Sequence, residues 1–419
     1  MLKHVLTATL MALTCCYSAQ AENWPAWRGA NGKGISNEAQ LPLRWSADKN
    51  VKWKLPLPER CNSTPIVWDG HVFLTQGLNN GQRRAIVAVD RKTGKQLWQR
   101  VVPCGVAETT HRQNPACSSS PVTDGRYVYA HFASAGTVAY DFSGKLIWHR
   151  QLGKVLHRWG NGGSPILYKD LLIVVQGPGK PTYLTALNKR TGKTVWKVSE
   201  PGINSPIFGS WSTPVVLRVN KIDELILPLP GDRIGGPGWF KAYHPKSGKA
   251  IWQCTGLGNE IYAMPIVGDN NQFVVGVSGH NGPTMAVRTG GRGDVTKSHR
   301  IWQTKKKTPQ RIGSGVIIDG LLYLSNANGT IECIDAEQGQ PIWKKRLGGN
   351  LWGSILATKQ RLYVTNLKGV TFVLKTGRSF HVLAKNQIGE ETYAALAASN
   401  GQLFQRTYKH LYCIEPAGQ

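Results

Sequence analysis

The hydrophobic residues of this chain occur in short runs of four or five, and polar turn residues separate one run from the next. The runs are rich in β-branched and aromatic residues and are shorter than most helices, which is typical of strands. Five of them recur in an equivalent position along the chain, at residues 71–74, 127–130, 171–175, 321–324 and 361–364. The pattern predicts an all-β protein.

A small residue followed by proline stands shortly before most of these runs and opens a further predicted strand. Proline is tolerated at the first residue of a strand, where no ladder donor is lost. The prolines of this pattern are Pro65, Pro121, Pro165, Pro214 and Pro265.

A hairpin with a nearly constant turn follows each pair of strands. Its clearest example, residues 88–98, reads Ala-Val-Asp-Arg-Lys-Thr-Gly-Lys-Gln-Leu-Trp, and related phrases occupy 139–148, 186–196, 242–252 and 333–343. The Asp can accept hydrogen bonds within the turn, and the Gly supplies a positive φ. We expect the Trp that ends each phrase to pack between neighbouring sheets.

Four strands per repeat, at a period of roughly 40 to 50 residues, predict the blades of a β-propeller. The outer-strand positions are Trp53, Trp98, Trp148, Trp196, Trp252, Trp302, Trp343 and the stretch 380–383. Trp53 has no hairpin before it, and the final run, 410–414, has no Trp after it. The prediction is therefore an eight-bladed β-propeller of four-stranded antiparallel blades, in which an N-terminal strand closes the last blade. Seven blades is the alternative, and the fifth blade, around residues 279–302, departs most from the pattern.

The N-terminus predicts a secretory signal. Residues 1–21 combine a basic start, an apolar run too short to span a bilayer, and an Ala-Gln-Ala cleavage site. The expected organisation is a signal peptide (1–21), an N-terminal extension (22–50) and a propeller (51–415), with a periplasmic or otherwise exported location. Lipid anchoring through Cys15 or Cys16 is less favoured, because neither follows Gly, Ala or Ser.

The formal net charge is +27, from 51 Lys and Arg against 24 Asp and Glu. A strongly basic surface attracts anionic partners, although many of these residues belong to hairpin turns. The runs 305–307 and 344–346 are candidates for a basic patch. Six cysteines follow the signal, and Cys104 and Cys117 are the best candidates for a disulfide because export permits one. The sequence has no metal-binding Cys spacing.

The repeated phrase, with its small-residue–Pro opening, resembles the pyrroloquinoline-quinone (PQQ)-like propeller repeat family over about residues 24–414. The leader at 24–32 looks like the opening of exported bacterial members. The resemblance implies one of two classes of function. One class is the quinoprotein dehydrogenases, which hold PQQ and calcium over the propeller axis. The other is non-catalytic scaffolds, similar to the lipoprotein of the outer-membrane β-barrel assembly machinery.

The chemistry of the dehydrogenases is poorly matched by this sequence. The alcohol dehydrogenases carry a vicinal Cys pair against the quinone, and Cys15-Cys16 lies in the predicted signal peptide. Calcium sites need carboxylates, and few loop acids are placed to approach the axis. These are Glu108, Glu260, Glu390 and Glu391. We predict no catalytic residue and no cofactor, and keep PQQ and calcium for the alternative.

Candidate binding residues lie where the repeats differ. The residue three before the strand-opening Pro position is, in turn, Asn62, Ser118, Gly162, Trp211, Tyr262, Ile312, Trp352 and Tyr393. Half of this ring is small or polar and the other half is mostly large and aromatic. The asymmetry predicts an aromatic-lined groove for a sugar, a quinone or a peptide side chain, or else rings that merely pack under loops.

The loops between blades add polar candidates at the same end of the propeller axis, which we call the mouth. The predicted axial site comprises Trp211, Tyr262, Trp352, Tyr393, His111, Arg112, Arg158, Trp159 and Arg311. Three converging arginines would favour a carboxylate or phosphate, unless they point to bulk solvent.

The favoured function is an exported, non-catalytic binding or scaffold propeller of the cell envelope. Its expected partner is an envelope protein or an anionic polymer, with no specific nucleic acid, no transmembrane segment and a monomeric state. The alternative is a PQQ- and calcium-dependent sugar or alcohol dehydrogenase.

Overall fold

The computed structural model describes residues 22–304 and 309–416. Its strands form eight four-stranded antiparallel sheets arranged in a ring, which confirms the predicted eight-bladed β-propeller. The predicted signal peptide and the basic run at 305–307 lie outside the described residues.

The blades are numbered in chain order, and the strands of each run from the axis outward. Blade 1 contains Ile66–Trp68, His71–Leu78, Arg83–Asp90 and Gln96–Pro103; blade 2, Val122–Thr123, Tyr127–His131, Thr137–Asp141 and Leu146–Arg150; blade 3, Ile166–Tyr168, Leu171–Gln176, Thr182–Asn188 and Thr194–Glu200; and blade 4, Val215–Val219, Ile222–Leu229, Gly238–Tyr243 and Ala250–Leu257. Blade 5 contains Ile266–Val267, Phe273–Val277, Thr284–Arg288 and Arg300–Gln303; blade 6, Val316–Ile318, Leu321–Ser325, Thr330–Asp335 and Pro341–Arg346; blade 7, Leu356–Ala357, Arg361–Thr365, Val370–Lys375 and Val382–Gln387; and blade 8, Ala397–Ser399, Gln402–Arg406, His410–Ile414 and Val51–Pro56.

Helical structure among the described residues is limited to two short 3-10 turns, Ala133–Ala135 and Asp269–Asn271. A small parallel pair, Gly209–Ser210 with Glu260–Ile261, links the loops that enter blades 4 and 5. No helix in the described ranges is long and apolar enough to cross a membrane.

The ring closes as the sequence predicted. Val51–Pro56 pairs antiparallel with His410–Ile414, and Trp53 stands opposite Cys413. The first and last blade strands of the chain therefore share one sheet, which removes the exposed edges that an open ring would leave.

Blade 5 departs from the repeat at its hairpin. A longer loop connects Thr284–Arg288 to Arg300–Gln303, and within it Gly293–Asp294 pairs parallel with Trp252 and Gln253 at the outer edge of blade 4. The loop thus adds a fifth strand to the neighbouring blade.

The outer-strand tryptophans join neighbouring blades. Six donate a hydrogen bond from the indole Nε1 to a carbonyl at the hairpin turn of the next blade: Trp53 to Arg91 (2.8 Å), Trp98 to Phe142 (2.8 Å), Trp148 to Lys189 (2.9 Å), Trp196 to Pro245 (3.0 Å), Trp302 to Ala336 (2.9 Å) and Trp343 to Gly377 (3.2 Å). Trp252 precedes the atypical blade 5 and donates instead to the Glu224 carboxylate of its own blade at 2.9 Å. The repeated Trp is therefore an interblade contact.

The small residue before proline also has a structural role. Its hydroxyl accepts a hydrogen bond from the backbone N–H of the equivalent residue in the preceding blade, close to the axis. The pairs, donor first, are Thr64 with Ser120 (2.9 Å), Ser120 with Ser164 (3.0 Å), Ser164 with Thr213 (2.9 Å), Met264 with Ser314 (3.1 Å), Ser314 with Ser354 (2.9 Å) and Ala395 with Thr64 (3.1 Å). These bonds pair inner backbone groups that would otherwise be buried without partners.

The N-terminal segment, residues 22–36, crosses one end of the ring. Trp24 exchanges two backbone hydrogen bonds with Val67, both 2.9 Å, at the far end of the inner strand of blade 1. Arg28 is 3% exposed and donates to the carbonyls of Ile355 (2.6 Å) and Gly315 (3.0 Å) in blades 7 and 6. This segment therefore ties blades 1, 6 and 7 together at that end.

The six cysteines among the described residues are all free thiols, so the expected Cys104–Cys117 disulfide is not formed in this structure. The Cys104 thiol donates to the Val106 carbonyl at 3.3 Å, whereas Cys117 is buried in the core beside Cys61. Cys333 and Cys413 lie on blade strands and are buried with the apolar core.

Candidate functional site

A cavity of about 340 Å³ lies on the ring axis, at the end opposite the N-terminal segment. We call it the axial cavity. All eight residues of the ring defined by the strand-opening prolines line it: Asn62, Ser118, Gly162, Trp211, Tyr262, Ile312, Trp352 and Tyr393. The ring of residues chosen from the sequence therefore forms part of the wall of this cavity.

One side of the axial cavity is aromatic. Trp211 and Tyr262 pack with their ring centroids 5.2 Å apart, and Trp352 meets Tyr393 edge to face at 5.1 Å. The Trp211 indole is 8% exposed and donates to the Gly160 carbonyl at 2.9 Å, which fixes its orientation. The other three rings are half-buried and form a preformed apolar surface.

The opposite side carries amides and small residues. Asn62 donates from Nδ2 to the Gln113 carbonyl at 2.8 Å, and Asn114 donates from Nδ2 to the Trp159 carbonyl at 2.5 Å. Gln113 lines the same side, and Gln310 adds a fourth amide from the loop that enters blade 6, among the aromatic residues. These bonds hold the loops between blades 1, 2 and 3 against one another and set the positions of their side chains.

Two polar atoms on lining residues are buried and have no hydrogen-bond partner among the described residues: Asn62 Oδ1, an acceptor, and Trp352 Nε1, a donor. Buried polar groups are normally paired, and because these two atoms have almost no accessible surface, a ligand in the cavity could pair with them only after the side chain turns toward it.

The phenols of the wall stay neutral. Burial raises the pKa of Tyr393, and burial together with the neighbouring Glu260 carboxylate raises the pKa of Tyr262. The Tyr262 hydroxyl donates to Glu260 Oε2 at 3.1 Å, and burial raises the pKa of that carboxyl. Among the described residues that line the axial cavity, none is an acid, a lysine or an arginine.

Trp27 forms part of the floor. It lines both the axial cavity and a second space beneath it that is enclosed by the N-terminal segment and the inner strands. Because the N-terminal segment crosses the far end of the axis, the axial cavity opens toward the mouth and ends at Trp27.

The predicted polar residues do not converge in the axial cavity. His111 and Arg112 line a separate rim pocket of about 300 Å³, together with Glu59 and Arg60. Arg158 is exposed, and Trp159 alone of the residues predicted from these two loops lines the axial cavity. Burial, followed by the charges of Arg112 and Arg158, lowers the pKa of His111, so the three groups lie near one another at the rim.

Arg311 has a structural partner instead of a ligand-binding position. It is 4% exposed and donates to Glu332 Oε2 at 2.6 Å and to Asn326 Oδ1 at 3.0 Å. The expectation that three arginines converge on the mouth was therefore wrong, because Arg311 is buried in an ion pair with the hairpin of its own blade.

Two of the loop acids that were considered for a metal site have partners away from the axial cavity. Glu108 pairs with Arg84 inside the protein, and Glu390 accepts from Tyr412 at 2.9 Å and contacts His410 at 2.8 Å. Glu391 is exposed. The described residues contain no group of three or more His, Cys, Asp or Glu placed to hold a metal ion.

Sequence reasoning did not assign Trp27, Asn114 or Gln310 to the site. Asn114 and Gln310 lie in loops of unequal length, so no repeat position identifies them. Trp27 lies outside the repeats, and only the unusual Trp-rich leader at 24–32 signalled that this segment is buried against the ring.

Comparison with known proteins agrees with the fold and gives two kinds of relative. A family model described as PQQ_2, outer membrane protein assembly factor BamB, matches residues 43–161, 86–345 and 294–404, which together cover most of the chain. Lupanine 17-hydroxylase [cytochrome c] from a Pseudomonas species is 25% identical over 381 residues, covering 74% of this chain and 52% of that protein. The chain thus spans about half the length of this curated relative.

Two solved structures illustrate the same division. A europium-containing methanol dehydrogenase superposes with a TM-score of 0.71 at 12% identity, over 94% of this chain and 98% of that one. BamB from Moraxella catarrhalis superposes with a TM-score of 0.59 at 13% identity, over 88% and 98% respectively. At these identities the likeness establishes the fold alone.

Proposed function

Because the chain belongs to the PQQ-like propeller family, in which fold does not determine activity, we propose that it is a non-catalytic binding propeller whose ligand enters the axial cavity. The observation that carries this proposal is the uncharged, aromatic and amide-rich lining of that cavity. A cavity of this size and composition is typical of small-ligand sites.

The lining does not fit a metal–quinone cofactor. Calcium is held by six to eight oxygens with carboxylates among them, whereas the described lining offers amide, hydroxyl and phenol groups. PQQ carries three carboxylates, and burying charged groups without cationic partners is strongly unfavourable. The nearest arginines of the predicted site lie at the rim or in the Glu332 ion pair.

The uncharged lining also favours a different ligand from the one predicted from the net charge. An anionic polymer was predicted from the net charge of +27, but an uncharged cavity offers no partner to its charges. We therefore assign a neutral ligand to the axial cavity. The rim around Arg60, Arg112 and Arg158 is where an anionic polymer or an envelope protein would make contact.

We place this binding function in the cell envelope, with the protein as an exported monomer. Support comes from the signal-like residues 1–21 and from the family model, which bears the name of an outer membrane protein assembly factor. The test is to fractionate cells and probe the periplasmic, membrane and cytoplasmic fractions with an antibody. This shows whether the native protein is exported and whether it is attached to a membrane.

The alternative is a PQQ- and calcium-dependent sugar or alcohol dehydrogenase. It is favoured by the match to a cytochrome-c-linked hydroxylase over 74% of the chain. The uncharged lining of the axial cavity argues against a dehydrogenase. Reconstitution with PQQ and calcium distinguishes the two functions.

The test is reconstitution of the purified protein with PQQ and calcium, read by absorbance and by dye-linked oxidation of sugars and alcohols. A known quinoprotein dehydrogenase, stripped and reloaded in parallel, is the positive control. We expect no stoichiometric uptake of PQQ and no turnover. Uptake of one quinone per chain with turnover would overturn the binding proposal.

A further inference from the structure

The axial cavity has one opening. The N-terminal segment is held across the far end by Arg28, through the Ile355 and Gly315 carbonyls, and by Trp24 on Val67. Trp27 lies between the cavity and the space beneath it. A ligand therefore enters from the mouth and can reach no further than Trp27. The cavity suits the end of a polymer or a free small molecule.

The chemistry of the wall is divided between two sides. Tyr262, Trp352 and Tyr393 offer half-buried ring surfaces, and the loops that enter blades 1 and 2 offer the uncharged amides of Asn62, Gln113 and Asn114. A sugar ring has a C–H face that packs on aromatic rings and hydroxyls at its edge that exchange hydrogen bonds with amides. A ligand with a net charge would be desolvated without a partner.

Two polar atoms of lining residues have no partner in the part of the chain that the structure describes, and a hydroxyl can pair with either of them once its side chain turns toward the cavity. Asn62 Oδ1 needs a donor and Trp352 Nε1 needs an acceptor. A hydroxyl supplies either role and rotates to suit the site. A purely aromatic ligand would satisfy the rings but leave both polar atoms without partners.

We infer that the axial cavity binds the end of a neutral saccharide, with the sugar packed on Trp352 and Tyr393 and hydroxyls at Asn62. This inference rests on the proposed binding function and adds the class of ligand. A volume of about 340 Å³ is near the lower end of small-molecule sites, which limits the buried part of the ligand to one or two sugar rings.

The experiment is a calorimetric and tryptophan-fluorescence titration of the purified protein with two matched sets of probes. One set contains neutral cello-, malto-, xylo- and chito-oligosaccharides, and the other contains acidic oligogalacturonates and a short uncharged peptide. Three variants accompany the wild type: Trp352→Phe, Trp352→Ala and Trp239→Phe. Trp239 is a half-buried residue of blade 4 that packs under Lys241 and does not line the cavity, so its substitution controls for the loss of an indole.

We expect saturable binding of at least one neutral oligosaccharide. Trp352→Phe keeps an aromatic ring but removes the indole N–H, and should weaken binding by about three- to tenfold. Trp352→Ala should weaken it further, and Trp239→Phe should leave it unchanged. Equal melting temperatures of wild type and Trp352→Phe would show that the loss is local.

Three results would overturn the inference. They are acidic oligosaccharides binding as tightly as neutral ones, binding that Trp352→Ala does not change, and the absence of neutral saccharide binding at millimolar ligand. If only the peptide binds, and Trp352→Ala abolishes that binding, the saccharide inference is refuted but the proposed binding function is not. Quinone-dependent turnover would instead refute the proposed function itself.

Discussion

At four of the hairpin turns, a glycine lies directly beneath the tryptophan of the preceding blade. Gly192 has φ of +68°, and a Cβ built there would lie 2.7 Å from the Trp148 ring. Gly94 and Gly339 are in the same position under Trp53 and Trp302. The Gly and the Trp of the repeated phrase are therefore parts of one interblade contact, and each restricts what the other position can hold.

Substituting Gly192 by alanine tests this contact. The positive φ alone should cost about 1–2 kcal/mol, and the overlap with Trp148 should add to it. Gly320→Ala is the matched control, because its φ is +74° but no atom lies within 4 Å of its Cβ. Urea unfolding should show a clearly larger loss of stability for Gly192→Ala than for Gly320→Ala, and equal losses would contradict the packing argument.

Glu224 is a second residue whose environment is set by the repeat. It is 1% exposed and accepts the indole N–H of Trp252, whose usual partner is absent from the atypical blade 5. Burial raises the pKa of Glu224, while Trp252, Gly290, Arg292 and His299 lower it more weakly. The net effect is that the folded protein holds this carboxyl proton more tightly than the unfolded chain does.

A raised folded-state pKa gives stability that is present below the unfolded pKa and lost as the pH rises through the folded value. Glu224→Gln cannot ionise, so the variant does not lose this stability as the pH rises. Its amide oxygen can still accept the Trp252 indole N–H. The free energy of unfolding of the variant, relative to wild type, should therefore increase between about pH 4.5 and about pH 7.5. Denaturation curves at the two pH values check the sign; a relative decrease would mean that Arg292 and His299 outweigh burial.

At the scale of the element, the strand Val51–Pro56 has the same structural role as every other outer strand, although it comes from the opposite end of the chain. Its Trp53 is 9% exposed and donates to Arg91 at 2.8 Å. Trp98 of blade 1 is 8% exposed and makes the equivalent bond, to Phe142, also at 2.8 Å.

These two tryptophans form a matched pair of substitutions. Trp53→Ala and Trp98→Ala should each destabilise the protein by about 3–5 kcal/mol, because each leaves a cavity between two blades. Chemical denaturation compares them directly. A loss of less than about 1 kcal/mol for Trp53→Ala alone would mean that the terminal strand contributes little to closure.

At the scale of the whole molecule, the repeats made the ring predictable. Five blades carry the strand-opening proline and seven carry the outer-strand tryptophan, and their regular spacing was enough to predict eight blades, their closure and part of the lining of the axial cavity. The Trp position predicted packing between blades, and the structure adds the carbonyl to which six of the seven indoles donate.

The contents of the site were less predictable, because they depend on segments that do not repeat. Arg311 was expected in the mouth, yet Glu332, 21 positions later, holds it inside blade 6. Trp27 was not expected there, since nothing in its own sequence shows that residues 22–36 cross the axis. Loop length and long-range ion pairs decide such placements, and periodicity carries no information about either.

The central claim is that this propeller uses its axis to bind an uncharged ligand and does not carry a metal–quinone cofactor. The most direct measurement is a side-by-side calorimetric titration of one protein preparation with PQQ plus calcium and with the neutral oligosaccharides. The account predicts saturable heat with a neutral oligosaccharide, lost in Trp352→Ala, and none with PQQ and calcium. Saturable binding of PQQ with calcium, together with no heat from any neutral oligosaccharide, would contradict it.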